Sequence, residues 1–107
     1  MAAQTPEVDV RDNMESLCYD AVIDGEVIGT VVYEYSGPRI VFLHTIVDPE
    51  FRGRGIGTTL VTAALDDVRA RGLKLSNYCA FVSAFIGAHP QYADLIDPSR
   101  PGLPHGQ

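Results

Sequence analysis

The chain has 107 residues, 46% of them apolar, and a formal charge of −6, enough for one core that buries roughly 65% of its unfolded surface and too little for two. Residues 1–51 carry 2 basic and 10 acidic side chains and residues 52–107 carry 6 basic and 4 acidic ones. No basic stripe of the kind that displaces counterions from nucleic-acid phosphates is present, although the second half can meet a small polyanion locally.

Cys18 and Cys79 are too few and too far apart for a disulfide framework, and neither has a metal-ligand partner at close spacing. The first residues lack the basic and apolar regions of a signal peptide, and no apolar run is long enough to span a bilayer. The expectation is a soluble cytoplasmic protein with no metal, no nucleic-acid partner and no membrane contact.

Residues 1–14 are expected to form an N-terminal extension or edge strand. Glu15 to Ile23 alternates, with Leu17, Tyr19, Ala21 and Ile23 on one side, and predicts a half-exposed strand. Asp24-Gly25 then separates it from Val27 to Tyr35, a pair suited to a two-residue hairpin turn in which both central residues take positive φ. After Ser36-Gly37-Pro38, Ile40 to Val47 is apolar on both faces apart from His44 and Thr45, which predicts a central strand covered twice.

Asp48-Pro49 ends that strand. Ile56, Leu60, Val61, Ala64, Leu65 and Val68 then fall on one helical stripe, closed by Arg69, Arg71 and Gly72. Leu73 to Ser76 predicts a short strand parallel to the central one, because the helix supplies the crossover. Ala80 to Ala88 predicts a second helix, and Pro90 opens a last helical turn ending near Ile96. The folded domain is expected over 15–96 and a disordered tail over 97–107.

Between strand and helix stands Arg52-Gly53-Arg54-Gly55-Ile56-Gly57-Thr58. Alternating glycines uncover backbone amides where a helix begins, the first four amides of a helix lack internal partners, and the positive dipole end favours phosphate. Two arginines add charge-assisted donors, so the segment reads as a diphosphate-binding turn; the plainer alternative is a flexible helix start. A Walker A loop requires Gly-Lys-Ser/Thr where Gly57 is followed by Thr58-Thr59. A dinucleotide fingerprint requires its first glycine close against the strand, yet Asp48 to Arg52 intervene, and the third glycine position is Thr58.

What remains resembles the GNAT acetyltransferase superfamily, whose acetyl-CoA signature Arg/Gln-x-x-Gly-x-Gly/Ala is matched by Arg52-x-x-Gly55-x-Gly57, with Val47-x-Pro49 upstream. His44, Leu73-Lys74-Leu75, Cys79 and His89-Pro90-Gln91-Tyr92 are similar to a subgroup of very short members, over roughly residues 15 to 96. The resemblance implies an α/β (α+β) fold: a mixed sheet whose antiparallel N-terminal strands are followed by a β-α-β unit holding the acetyl-CoA-binding turn. It also implies a diphosphate on the amides of Gly53 to Thr58 and a pantetheine arm along the backbone of Ile46 and Val47. Compared with longer members, little sequence precedes the first strand and none remains for the last strands, the regions that shape an acceptor pocket.

A lysine-like amine with a pKa near 10.4 is only about 0.1% neutral at pH 7.4, so acetyl transfer gains from a proton acceptor. His44 is the candidate base; the alternative is a hydrogen-bonded core histidine sharing a face with Ile40, Phe42 and Ile46. Cys79 stands at the start of the Ala80 helix, where the dipole favours a thiolate. It is a candidate either to protonate departing coenzyme A, a role a tyrosine often fills in larger members, or to accept the acetyl group; the alternative is a small buried hydrophobe.

The functional expectation is an N-acetyltransferase that uses acetyl-CoA and a small-molecule or protein amine. Its rivals are a noncatalytic acyl-CoA-binding or interaction module and an unrelated α/β nucleotide binder. Tyr33, Tyr35 and Phe85 fit either a core or a subunit interface, which leaves the oligomeric state open.

Overall fold

The computed structural model describes residues 8–104; residues 1–7 of the expected extension and residues 105–107 of the expected tail lie outside that range. Five strands form one sheet in the order of the chain: β1 (Asp9–Asn13), β2 (Cys18–Ile23), β3 (Glu26–Ser36), β4 (Arg39–Val47) and β5 (Lys74–Asn77). The first four pair antiparallel and β5 pairs parallel to β4. Helix α1 (Ile56–Ala70) makes the crossover, and α2 (Ala80–Ala88) and a 3-10 turn (Pro90–Leu95) follow β5.

Local chemistry accounts for most element ends. Asp24 and Gly25 have φ of 51° and 78°, the double positive φ of the tight hairpin turn between β2 and β3. Gly72, at φ 68°, closes α1 after its cap Arg71. The six residues of the predicted stripe are the buried residues of α1. They pack on β3, where a side chain on Gly29 would meet Ile56 and Leu60 at 3.5 and 3.6 Å.

The strand expected from Glu15 begins only at Cys18. Leu17 takes φ 58°, Ser16 N–H donates to Asn13 Oδ1 at 3.2 Å, and Tyr33 N–H donates to the Leu17 carbonyl at 3.0 Å. Residues 14–17 thus turn the chain back from β1 to β2.

β4 departs from the expected double coverage. Val32 pairs with His44 but Tyr33 pairs with Phe42, so Leu43 is the extra residue of a β-bulge. Because side chains alternate, one extra residue exchanges the faces. Ile40 and Phe42 are fully buried on the α1 face; beyond the bulge Thr45 and Val47 take that face, while His44 and Ile46 turn to the other and are exposed. His44 therefore does not share a face with Ile40 and Phe42. α2 lies beside α1, with Phe81 against Gly57 and Phe85 reaching Tyr92, whose hydroxyl donates to Asp66 of α1. The far face at His44 and Ile46 has no helix over it among the described residues.

The expected tail is also displaced by the geometry. Asp97 N–H donates to the Leu75 carbonyl at 2.9 Å, Asn77 N–H to the Pro101 carbonyl at 3.0 Å, and Leu103 N–H to the Asn77 carbonyl at 2.6 Å. β5 is short and otherwise an open edge, and residues 97–104 satisfy that edge's backbone groups.

The α1 C-terminus is fastened by a polar cluster. Tyr19 donates to Asp67 at 2.6 Å, Tyr33 donates to Asp12, and Arg71 reaches the Tyr35 hydroxyl at 2.7 Å and Asp12 at 3.3 Å. Tyr19 and Tyr33 are buried. Burial, reinforced by the neighbouring carboxylates, pushes both phenols well above their ordinary range. A phenol whose folded pKa is raised contributes stability that is complete below its unfolded value of about 10 and is lost as pH climbs beyond it. Urea midpoints are therefore expected to hold up to about pH 10 and then fall, with a shallower fall in the Tyr19→Phe/Tyr33→Phe variant. An equally steep alkaline limb in that variant would assign the loss to other groups.

Candidate functional site

β4 and β5 stay paired only as far as Phe42 and Asn77, with a last main-chain bond from Tyr78 N–H to the Phe42 carbonyl at 2.9 Å. Beyond it β5 leads into α2, while β4 continues to Val47 paired with β3 on one side only. The free edge of β4 forms one wall of a cleft of ≈ 470 Å³. Thr45, Ile46 and Val47 line that wall; Phe51, Arg52, Gly53 and Gly55 to Thr58 line the opposite one, and Phe81 closes an end.

The turn has the features of an anion cradle. Pro49–Phe51 is a 3-10 turn capped by Asp48, whose Oδ1 accepts from Glu50 N–H at 3.0 Å. Gly53 and Gly55 take φ of 78° and 76° with no neighbour near a built side chain, so conformation rather than space requires glycine there. Gly55 is the N-cap of α1 and offers no side-chain acceptor, and no acidic residue stands in the first turn. The leading amides of α1 are thereby left without a side-chain cap, and such amides suit an anion.

Gly57 serves a different purpose. A side chain there would come within 2.8 Å of the Phe81 ring, so its absence lets the aromatic side chain lie against the helix start.

The sequence-predicted residues do not all meet. Ile46, Val47, Arg52, Gly53, Gly55, Ile56, Gly57 and Thr58 line the cleft. Arg54 stands outside it, with its guanidinium 5.3 Å from the Phe51 ring centre. Cys79 is the N-cap of α2 and only 3% exposed. Its Sγ is 3.2 Å from Thr45 Oγ1, one side chain removed from the cleft. His44 is exposed on the face of β4 turned from the helices and is not part of the lining.

Thr45, Phe51 and Phe81 were not singled out by the sequence. Thr45 becomes readable only once the bulge exchanges the faces of β4. The contact of Phe81 with a glycine 24 positions earlier leaves no local pattern. Among the described residues no group of three or more His, Cys, Asp or Glu could hold a metal ion, and no helix is long and apolar enough to cross a membrane.

The family model of the GCN5-related N-acetyl-transferase matches residues 18–95, a span that runs from β2 through the cleft to the turn after α2. The chain belongs to this acetyltransferase family. It is 37% identical over 84 residues to Protein NATD1 of Mus musculus, covering 76% of this chain and 70% of that one. The human NATD1 is likewise 37% identical, with 76% and 68% covered.

Among solved structures, Ard1 of Thermoplasma volcanium is 28% identical with a TM-score of 0.50, covering 62% of this chain and 45% of that one. The ribosomal-protein-S18-alanine N-acetyltransferase of Escherichia coli is 19% identical with a TM-score of 0.54 and 73% and 49% coverage, a likeness of fold alone. This chain spans about half the length of each. The mixed five-stranded sheet with its helices is the fold of this GNAT family.

The two glycines are expected to separate by mechanism. Gly55→Ala forces a left-handed conformation on a residue with a Cβ and should cost about 1 kcal/mol in urea unfolding. Gly57→Ala should act through the Phe81 ring, so adding Phe81→Ala should recover most of its loss. A Gly57→Ala loss that is the same with and without Phe81 would rule out that contact as its cause.

Proposed function

We propose that the chain is an acetyl-CoA-dependent N-acetyltransferase in which the cleft between the free edge of β4 and the Gly53–Thr58 turn holds the cofactor. The observation that carries the reading is the meeting, in one cleft, of an unpaired strand edge with an uncapped helix N-terminus and Arg52. The diphosphate would lie on the turn amides and on Arg52. The pantetheine amides would pair with the main chain of Ile46 and Val47 as an added strand does. Arg54, over Phe51, contributes charge at longer range.

The acetyl group would then reach the place where β4 and β5 part. The amine approaches from the uncovered face, on which His44 stands. Its lone pair attacks the thioester carbon, a β4 amide stabilises the oxyanion, and the carbon–sulfur bond breaks to release coenzyme A. His44 takes the amine proton from that side, and the Cys79 thiol, next to Thr45, supplies a proton to the departing thiolate.

A second reading, an acyl-CoA-binding module without turnover, is favoured by the burial of Cys79 and the exposure of His44 outside the cleft. A cytoplasmic setting goes with either reading and is supported by two free thiols.

Acetyl-CoA at 100 times its dissociation constant should add about 2.7 kcal/mol of stability, seen as a raised Tm, while ATP and NAD add none. Arg52→Ala should weaken acetyl-CoA about tenfold, the worth of one charge-assisted hydrogen bond. Cys79→Ala should keep binding and lose thiol release with an active amine. No response to acetyl-CoA in the wild-type chain removes both readings; binding without thiol release across an amine panel leaves the module.

A further inference from the structure

Asn77 is 1% exposed and lies where β5 gives way to α2. Its side chain has both of its hydrogen-bonding ends on one neighbour: Nδ2 donates to the Cys79 carbonyl at 3.1 Å, and Oδ1 accepts from Cys79 N–H at 3.1 Å. Held in this way, Cys79 keeps extended backbone, φ −93° and ψ 120°, as the N-cap of α2, although its own side chain makes no capping bond. Its Sγ is turned instead to Thr45 Oγ1, 3.2 Å away, and Thr45 lines the cleft.

The main chain of the same asparagine is the seat of the C-terminal segment. Asn77 N–H donates to the Pro101 carbonyl and Asn77 O accepts from Leu103 N–H. Between those two bonds, Gly102 has φ +83°, and a side chain on it would fall 2.1 Å from Asn77 O, inside the backbone. Only glycine allows so close an approach. Further along, Ser83, in the first turn of α2, donates to the Pro104 carbonyl. A continuous hydrogen-bonded path therefore runs from the segment to Asn77, from Asn77 to Cys79 and from Cys79 to Thr45.

We propose that Asn77 is a positioning residue that sets the Cys79 thiol behind Thr45 of the cleft wall, and that residues 97–104 are the strap that keeps Asn77 in place. Neither Asn77 nor the strap touches the cofactor. The strap completes the β5 edge, and by doing so fixes a side chain that the cleft depends on. The kinetic part of this inference rests on Cys79 as a reacting group; the placement of the thiol does not.

The test uses the full chain with Cys18→Ser, so that Cys79 is the one thiol present. Alkylation of Cys79 by iodoacetamide is followed well below Tm, beside the KM for acetyl-CoA and kcat with an active amine. Asn77→Ala and Gly102→Ala should each speed alkylation severalfold and lower kcat by about tenfold or more, with the KM for acetyl-CoA unchanged. Val68→Ala, a cavity in buried α1, is a control for lost stability and should leave the alkylation rate near that of the parent.

Unchanged alkylation and kcat in folded Asn77→Ala and Gly102→Ala overturns the proposal. So does equal acceleration in Val68→Ala, which would make the effect one of general loosening. If Asn77→Ala does not fold, Gly102→Ala decides, since it displaces the strap from Asn77 while leaving the asparagine side chain present. A parent chain without turnover fails the enzyme reading but leaves the alkylation comparison intact.

Discussion

The cleft exists because two strands that start as neighbours separate. β4 and β5 are joined through Phe42 and Asn77 and part directly after them, leaving the last residues of β4 with main-chain groups that no strand satisfies on that side. An unpaired edge inside a domain has to be met by water or a ligand. The same parting sends β5 into α2 and brings Phe81 against the start of α1, so that one event places the strand wall, the helix terminus and the closing aromatic ring. The bulge at Leu43 lies at the same level and decides which β4 side chains look inward: Thr45 and Val47 toward the helices, His44 and Ile46 away.

This division gives the two candidate reacting side chains different positions. Cys79 is reached from the cleft through Thr45, whereas His44 stands on the open face. In the proposed transfer the acyl donor would lie on one side of the sheet and the acceptor would come from the other, a separation that the divergence of the strands would supply. In the proposed reaction, oxyanion stabilisation and donor binding would fall to backbone groups, whose geometry depends on the fold more than on side-chain identity. Membership of the acetyltransferase family goes with a cleft lined by a free strand edge and three glycines.

Local signals were legible in the sequence. The α1 stripe, the Asp24-Gly25 turn, Gly72 after α1 and the glycine-rich turn each depend on residues within a few positions of one another, and each is found where the pattern places it. The eight cleft-lining residues among those predicted follow from the turn and the strand beside it. What could not be read depends on pairing across the chain. Alternation carried through Leu43 put His44 on the core face, because nothing in the strand announces an extra residue opposite β3. The Pro- and Gly-rich composition of residues 97–104 suggested disorder, yet Gly102 is there for its close approach to Asn77, 25 positions away. Arg54 carries the charge expected at a phosphate site, but its place over Phe51 is set by the path of the turn.

The most direct test of the central claim is an amide chemical-shift titration of the labelled chain with coenzyme A. Donor binding in the cleft predicts the largest shifts at the amides of Gly53 to Thr58 and Thr45 to Val47, with those of β1 and the α1 C-terminus left in place. Saturable shifts centred elsewhere, or none at millimolar ligand, would contradict it.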